Sequence, residues 1–319
     1  MKAWLVLPTA LLLSGCWFHQ RALAPERARA PARDSLFQLD ESRADSVATH
    51  GAVDGVLSLL ATDVVYLRAG VPAVYGLAAV RTLLPATNPP GAPASSWQPL
   101  GGAVSNDLGS AYTFGVAARV VPSAGSGPIQ LARYIAFWRR SARTPWRIVA
   151  YAEVGQAPFG EEPAFTPEQL APSTDSVPPK IAEARAQLRS ADSSFSDLAI
   201  RMGLPFAFSN TAAPQGAVFG NPALIVGPEA IRMYLFEQSG GSSLTWRPVY
   251  ADVAMSRDLG FTVGEYVSTG RGPSGATVQR FGKYLTVWQR QSNGDWRFVI
   301  DGGSPDGSRS GAGIRAPKY

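Results

Sequence analysis

Arg133-Tyr134-Ile135-Ala136-Phe137-Trp138 returns 150 residues later as Lys283-Tyr284-Leu285-Thr286-Val287-Trp288, and Trp146-Arg147-Ile148-Val149 returns as Trp296-Arg297-Phe298-Val299. Self-similarity at a fixed period decides an architecture before any local motif does. Outward from these stretches, Trp97-Gln98-Pro99 matches Trp246-Arg247-Pro248 and Asp107-Leu108-Gly109 matches Asp258-Leu259-Gly260. Further upstream, Gly76 and Val80 match Gly227 and Ile231, and Asp40 and Asp45 match Asp192 and Asp197. Of the eight Trp, all but Trp4 and Trp17 pair in this way. The chain is a tandem duplication, and the two domains suggested by a length of 319 residues are two copies of one domain.

Each copy reads as helices first and strands later. In copy one, Leu36, Asp40 and Val47 lie on a helical period, and Val53 to Leu60 supply a second apolar face. Val64 to Leu67 predicts a strand, Gly76 to Leu84 a third helix, and 97–106, 110–121, 130–140 and 146–154 predict strands. Copy two repeats this as helices over 180–202, 204–210 and 227–238, and strands over 217–220, 246–256, 260–269, 278–290 and 296–302. Asn293-Gly294 between two alternating runs is a hairpin signal, because a tight primed turn needs positive φ at both central residues. Helices followed by a curved, mostly antiparallel sheet give an α+β class: two tandem cone-shaped domains, each sheet packed on its N-terminal helices.

Composition narrows the function classes. With 45% hydrophobic and 17% charged residues the chain is globular rather than disordered or fibrous. One Cys and two His exclude a disulfide framework and a His/Cys zinc cluster, so no metal or cofactor is expected. Copy one, taken as 34–155, has nine basic and eight acidic residues, and copy two, 180–304, has twelve and ten. Neither is basic enough for a nucleic-acid-binding face. Residues 156–179 form a Pro-rich acidic linker, 17–33 a flexible Ala/Arg/Pro arm and 305–319 a flexible Gly/Ser tail.

Residues 1–16 are an address. Met1-Lys2, the apolar run Ala3 to Leu13 and small residues before a cut form a secretory signal, too short to span a bilayer comfortably. Leu13-Ser14-Gly15-Cys16 resembles a bacterial lipobox, which implies that Cys16 is acylated, becomes the mature N-terminus and anchors the chain to a membrane. Trp17 in place of Asp implies, by the same resemblance, outer-membrane sorting with the protein facing the periplasm.

The residues Asp192, Phe195-Ser196, Gly203, Gly227-Pro228-Glu229-Ala230-Ile231, Trp246-Arg247-Pro248 and Gly282 to Trp288 followed by Asp295 to Asp301 resemble a SnoaL-like domain of the nuclear-transport-factor-2-like superfamily. The branch is an uncharacterised secreted one related to a calcium/calmodulin-kinase association domain. The resemblance covers nearly all of copy two and, more weakly, copy one. It implies an apolar pocket between the concave sheet face and the first helix, where burial can tune a carboxylate for proton transfer. It also implies that the sheet face opposite the pocket can pack copy against copy as an intramolecular pseudo-dimer.

Candidate acids on copy two's strands are Asp252, which aligns with Ala103, and Asp301, which aligns with Tyr151. Candidate pocket residues are Tyr66, Tyr112, Tyr134, Tyr151 and Glu153 in copy one, and Tyr266 and Tyr284 in copy two. Asp40, Asp45, Asp192 and Asp197 are expected to be solvent-facing or cap-like. His50, at the end of the first helix, aligns with Met202 and is expected to pack rather than catalyse. The leading function is a membrane-anchored tandem protein that holds a small apolar ligand or a protein partner without catalysis. The alternative is a cyclase, isomerase or hydratase using a buried carboxylate in copy two.

Overall fold

A computed structural model describes residues 26–87, 96–120, 129–156, 180–220, 223–238, 242–272 and 274–306. The signal with Cys16, residues 157–179 of the linker and residues beyond 306 lie outside the described residues. Copy one comprises α1 (Glu26–Glu41), α2 (Arg43–Leu57), β1 (Leu60–Leu67), β2 (Val74–Tyr75), α3 (Leu77–Thr87), β3 (Ser96–Val104), β4 (Ser110–Val120), β5 (Ile129–Arg139) and β6 (Arg147–Gln156). Copy two repeats the order as α4 (Ile181–Met202), α5 (Leu204–Thr211), β7 (Ala212–Phe219), β8 (Leu224–Val226), α6 (Pro228–Gln238), β9 (Ser243–Val253), β10 (Leu259–Arg271), β11 (Thr277–Arg290) and β12 (Trp296–Pro305). Among the described residues, no helix is long and apolar enough to cross a membrane.

Each copy forms one six-stranded sheet, ordered β2-β1-β6-β5-β4-β3 and β8-β7-β12-β11-β10-β9. The first long strand runs parallel to the last, β1 to β6 and β7 to β12, and the remaining pairs are antiparallel. Register slips fall at matching points, between Phe137 and Trp138 in β5 and between Val287 and Trp288 in β11. Pro99 and Pro248 stand at matching irregularities of the edge strands β3 and β9, where a missing N–H costs no interior ladder bond. Such bulges strengthen the local twist and bend the sheet, so each sheet curls around its helices.

The helices follow from their apolar stripes. Ala184, Leu188, Asp192, Phe195 and Ala199 of α4 recur every three to four residues and are all buried, the apolar four in one cluster with Trp288 and Phe298. Gly51 (φ 83°, ψ 163°) and Gly203 (φ 85°, ψ 159°) break the first helical stretch at the same point in each copy. A side chain would be strained in that backbone region, so glycine sets the bend there.

The outer faces of the two sheets share one apolar cluster. Val65, Phe114, Ile135 and Phe137 from copy one pack with Phe261, Val263, Leu285 and Ile300 from copy two, and the Phe137 and Phe261 rings lie 4.7 Å apart. Polar ties close its edges. The Asn106 N–H donates to Asp258 Oδ2 at 2.9 Å, and the Ser256 N–H donates to Asp107 Oδ2 at 2.8 Å.

Two sequence expectations change here. The matched Asp-Leu-Gly triplets are not structural equivalents. Ala111 pairs with Trp138 as Gly260 pairs with Trp288, and the two indole N–H groups donate to Thr113 and Thr262. That register makes Asp107 the counterpart of Ser256, two residues from the textual match. The second change is at the arm: α1 begins at Glu26, inside the stretch 17–33 that was expected to be flexible. It packs on β3, with Arg29 donating to Asn106, and this docking is what a composition-based reading of an Arg/Ala segment omits.

Candidate functional site

In copy two, residues alternate between the helix-packed inner face of the sheet and the outer face. On β11, Tyr284, Thr286 and Trp288 point inward while Leu285 and Val287 join the cluster between the copies. Asp301 lies opposite Thr286 on β12 and shares its inner face, accepting a hydrogen bond from the Thr286 hydroxyl. Asp192 reaches the same interior from α4. It stands on that helix's apolar stripe, four residues after Leu188 and three before Phe195, and is fully buried.

The two acids are held differently. Asp192 Oδ1 accepts from Trp246 Nε1 at 2.8 Å and Oδ2 accepts from the Tyr284 hydroxyl at 2.9 Å, with the Thr262 hydroxyl adding a further bond. Burial pushes its pKa up to about 6, against the pull of those three donors. The same burial, reinforced by the Asp192 carboxylate, raises Tyr284 well above the ordinary phenol. Asp301 is part-buried, and Thr286 is its one hydrogen-bond partner among the described residues. Burial pushes Asp301 up to about 7; the Thr286 bond opposes this and the nearby Asp192 charge adds to it. Asp192 is thus a fully bonded tie between helix and sheet, whereas Asp301 is an acid with an open oxygen that changes charge near neutral pH.

No protein-family model matches the sequence, and no curated protein matches it. Several solved structures are similar to a stretch the length of one copy. A ketosteroid isomerase-like protein from Erwinia carotovora atroseptica is 17% identical, covering 39% of this chain and 96% of its own, with a TM-score of 0.34. A nuclear transport factor 2-like protein with a cystatin-like fold from Novosphingobium aromaticivorans is 22% identical, covering 41% and 87%, with a TM-score of 0.32. A nuclear transport factor 2-like superfamily protein from Salmonella enterica serovar Typhimurium is 14% identical, covering 42% and 100%, with a TM-score of 0.33.

Copy one fills the corresponding interior with its own side chains. Asp40 is fully buried and accepts from the Tyr134 hydroxyl at 2.7 Å, as Asp192 does from Tyr284. Where copy two has Phe195, copy one has Arg43, whose guanidinium carbon lies 4.5 Å from the Trp97 ring centre, 4.9 Å from Tyr151 and 5.8 Å from Tyr134. Arg43 Nη1 stands 3.4 Å from Asp40, and its Nε and Nη2 find no acceptor among the described residues. Tyr66 and Tyr151 stack at 5.0 Å, with Tyr134 beyond at 6.0 Å from Tyr151. Above them Arg68 pairs with Glu153 at 3.1 Å. Burial raises Glu153, and the Arg68 and Arg43 charges counter it.

Strand pairing maps one interior onto the other. Tyr66 opposite Tyr151 corresponds to Val218 opposite Asp301, and Tyr134 opposite Glu153 corresponds to Tyr284 opposite Gly303. Copy two therefore replaces two stacked tyrosines by a valine and an aspartate. The Tyr266 ring lies over Gly282 and Gly303, the latter at the place of Glu153.

Of the sequence candidates, Tyr66, Tyr134, Tyr151 and Glu153 meet inside copy one, and Asp301, Tyr266 and Tyr284 inside copy two. Two candidates are corrected. Tyr112 faces the cluster between the sheets, because Ala111 and Thr113 on either side of it point inward. Asp252 also faces outward between Ala251 and Val253; it is buried and paired with Arg139 of copy one and with Arg185 at 2.8 Å. It ties the copies together. A third correction concerns Asp40 and Asp192, expected to be solvent-facing. Their neighbours Asp45 and Asp197 are exposed, but they themselves are fully buried. The signal was present in the sequence: an Asp on the apolar helical stripe of both copies, matched by a Tyr kept in both. His50 is exposed, its Nδ1 3.1 Å from the Ser46 carbonyl.

Proposed function

We propose that this chain is a membrane-anchored lipoprotein whose second domain binds a small molecule inside its sheet, while the first serves as a filled structural counterpart. The observation that carries this is the asymmetry between matched interiors. Arg43, Tyr66 and Tyr151 close copy one, and Phe195, Val218 and Asp301 stand at the same positions in copy two. The aromatic walls of Trp246, Tyr266 and Tyr284 suit a flat or apolar body, and Asp301 supplies a polar end, the usual composition of a small-molecule site. Cys16 behind Leu-Ser-Gly supports anchoring by acylation. In this reading, a Cys16→Ser chain loses the lipid mass and partitions away from membranes.

A second reading, acid–base catalysis of the isomerase, cyclase or hydratase type, is favoured by one observation. Asp301 changes charge near pH 7 and keeps an oxygen free, as a general acid or base requires. Both readings share a test. Protein purified without detergent is extracted and its small molecules identified by mass spectrometry, beside a Val218→Tyr/Asp301→Tyr chain that copies the first interior. A molecule present in the parent and absent from the double variant supports binding in copy two. Equal recovery from both, or none from either, refutes it. Deuterium exchange into an acidic C–H of that molecule, lost in Asp301→Asn, supports catalysis.

A further inference from the structure

The two interiors differ in charge as well as in volume. Copy one encloses two carboxylates, Asp40 and Glu153, and answers them with two guanidiniums, Arg43 and Arg68. Copy two also encloses two carboxylates, Asp192 and Asp301, but both arginines are gone: Phe195 stands at the place of Arg43 and Gly220 at that of Arg68. Among the described residues, neither Asp192 nor Asp301 has an ion-pair partner. Among the described residues, the groups that act on Asp301 are the Thr286 hydroxyl and Asp192, with Tyr284 beside them, and none is a guanidinium, ammonium or imidazole. A charge buried without a partner is costly, so buried carboxylates are normally paired.

Copy one also displays, within the same chain, what this arrangement of residues holds. The Arg43 guanidinium lies against Trp97, Tyr134 and Tyr151 and beside Asp40. Three of those four positions are chemically unchanged in copy two, as Trp246, Tyr284 and Asp192. The fourth, Tyr151, has become a second acid, Asp301. In copy two the Phe195 ring stands against Trp246, with ring centres 4.6 Å apart and the two planes steeply inclined, and it carries no charge to answer Asp192 or Asp301.

We infer that the second domain takes a cationic ligand, an organic ammonium or guanidinium carried on an aromatic or apolar body, whose charge seats between Asp301 and the Tyr284 ring. This rests on the reading of copy two as the ligand site. The cation replaces the counter-ion that copy one supplies from Arg43, and the aromatic ring adds the attraction of its negative face. Because Asp301 gains its charge near neutral pH, the ligand binds more tightly at pH 8 than at pH 6.

The test uses the full chain and three probes of one shape: 2-phenylethylamine, 2-phenylethanol and 3-phenylpropionate, titrated by calorimetry at pH 6 and pH 8. The amine is expected to bind at least about tenfold more tightly than the alcohol at pH 8, the scale of a charge-assisted hydrogen bond, with the acid weakest. Asp301→Asn keeps the Thr286 bond and is expected to erase the preference, Asp301→Glu to restore part of it, and Asp197→Asn, on the exposed face of α4, to leave it unchanged. Equal binding of amine and alcohol overturns the cationic class while leaving the pocket. A preference that survives Asp301→Asn overturns the assignment to Asp301. Binding of none of the three overturns the cationic class, and if extraction also yields no molecule, the pocket reading falls with it.

Discussion

Asp301→Asn gives the sharpest prediction, because the sign of its effect on stability is opposite to that of most buried substitutions. In the folded protein burial holds this carboxyl at about 7, whereas in an unfolded chain an aspartate titrates at about 3.9. The folded state therefore binds the proton more tightly. The stability associated with that proton is fully present below about pH 4 and is lost as pH rises through 7. At about 1.4 kcal/mol per unit, a gap of roughly three units makes the ionised Asp301 a burden of about 4 kcal/mol at pH 8, and of little more than about 1 kcal/mol at pH 5. Asparagine keeps the volume and accepts the same bond from Thr286, but carries no charge to desolvate. The variant should thus be more stable than the parent at pH 8, with a much smaller gain at pH 5. Asp192 is coupled to the same charge, so part of the gain comes from relieving it, and the two acids titrate as a pair. The assay is urea unfolding followed by tryptophan fluorescence, since Trp246 and Trp288 belong to the affected domain. A variant that is less stable than the parent at pH 8, or that gains equally at both pH values, would refute the assignment of a desolvated, near-neutral carboxyl.

Removing the hydroxyl in Tyr284→Phe, or in Tyr134→Phe, strips a donor from a buried aspartate. Each should cost about 1–3 kcal/mol in urea titrations, and the two costs should add because the sites lie in different domains. Arg43→Met leaves Asp40 buried without its cation and should cost about 3 kcal/mol or more, while Asp40→Asn in the same chain recovers much of that loss; a single-variant cost below about 0.5 kcal/mol would contradict the buried pairing. Asp252→Asn loosens Arg139 and Arg185 at the contact between the copies, and should lower stability by about 2 kcal/mol without altering probe binding in copy two, which calorimetry on the same chain checks.

Much of the architecture could be read from the repeat. The Tyr-x-x-x-Trp strand and the Trp-Arg strand that follows recur with the same alternation, and alternation tells which neighbours share a face. It does not tell which face is concave, because that depends on the helices folding back onto one side. Asp252 and Asp301 therefore looked equivalent as strand carboxylates, yet one lies between the copies and the other inside the second domain. Asp192 was misread for a related reason. A helical Asp is usually exposed, and the position of Asp192 on the apolar stripe gains meaning once Trp246 and Tyr284 are seen to meet it from two different strands. The Asp-Leu-Gly match misled for the opposite reason: identical letters sat two residues out of register, and the hydrogen bonds of Trp138 and Trp288 to Thr113 and Thr262 give the true alignment.

By itself, the sequence determines that one α+β domain is written twice and where its helices and strands fall, because periodicity and spacing are local properties. Tertiary structure decides that the outer sheet faces pack together, that Arg43 occupies the first interior, and that Asp301 stands in the second without a counter-ion among the described residues. Those facts depend on side chains from strands and helices far apart in the chain meeting in one desolvated space, where burial turns an ordinary aspartate into one that titrates near neutrality.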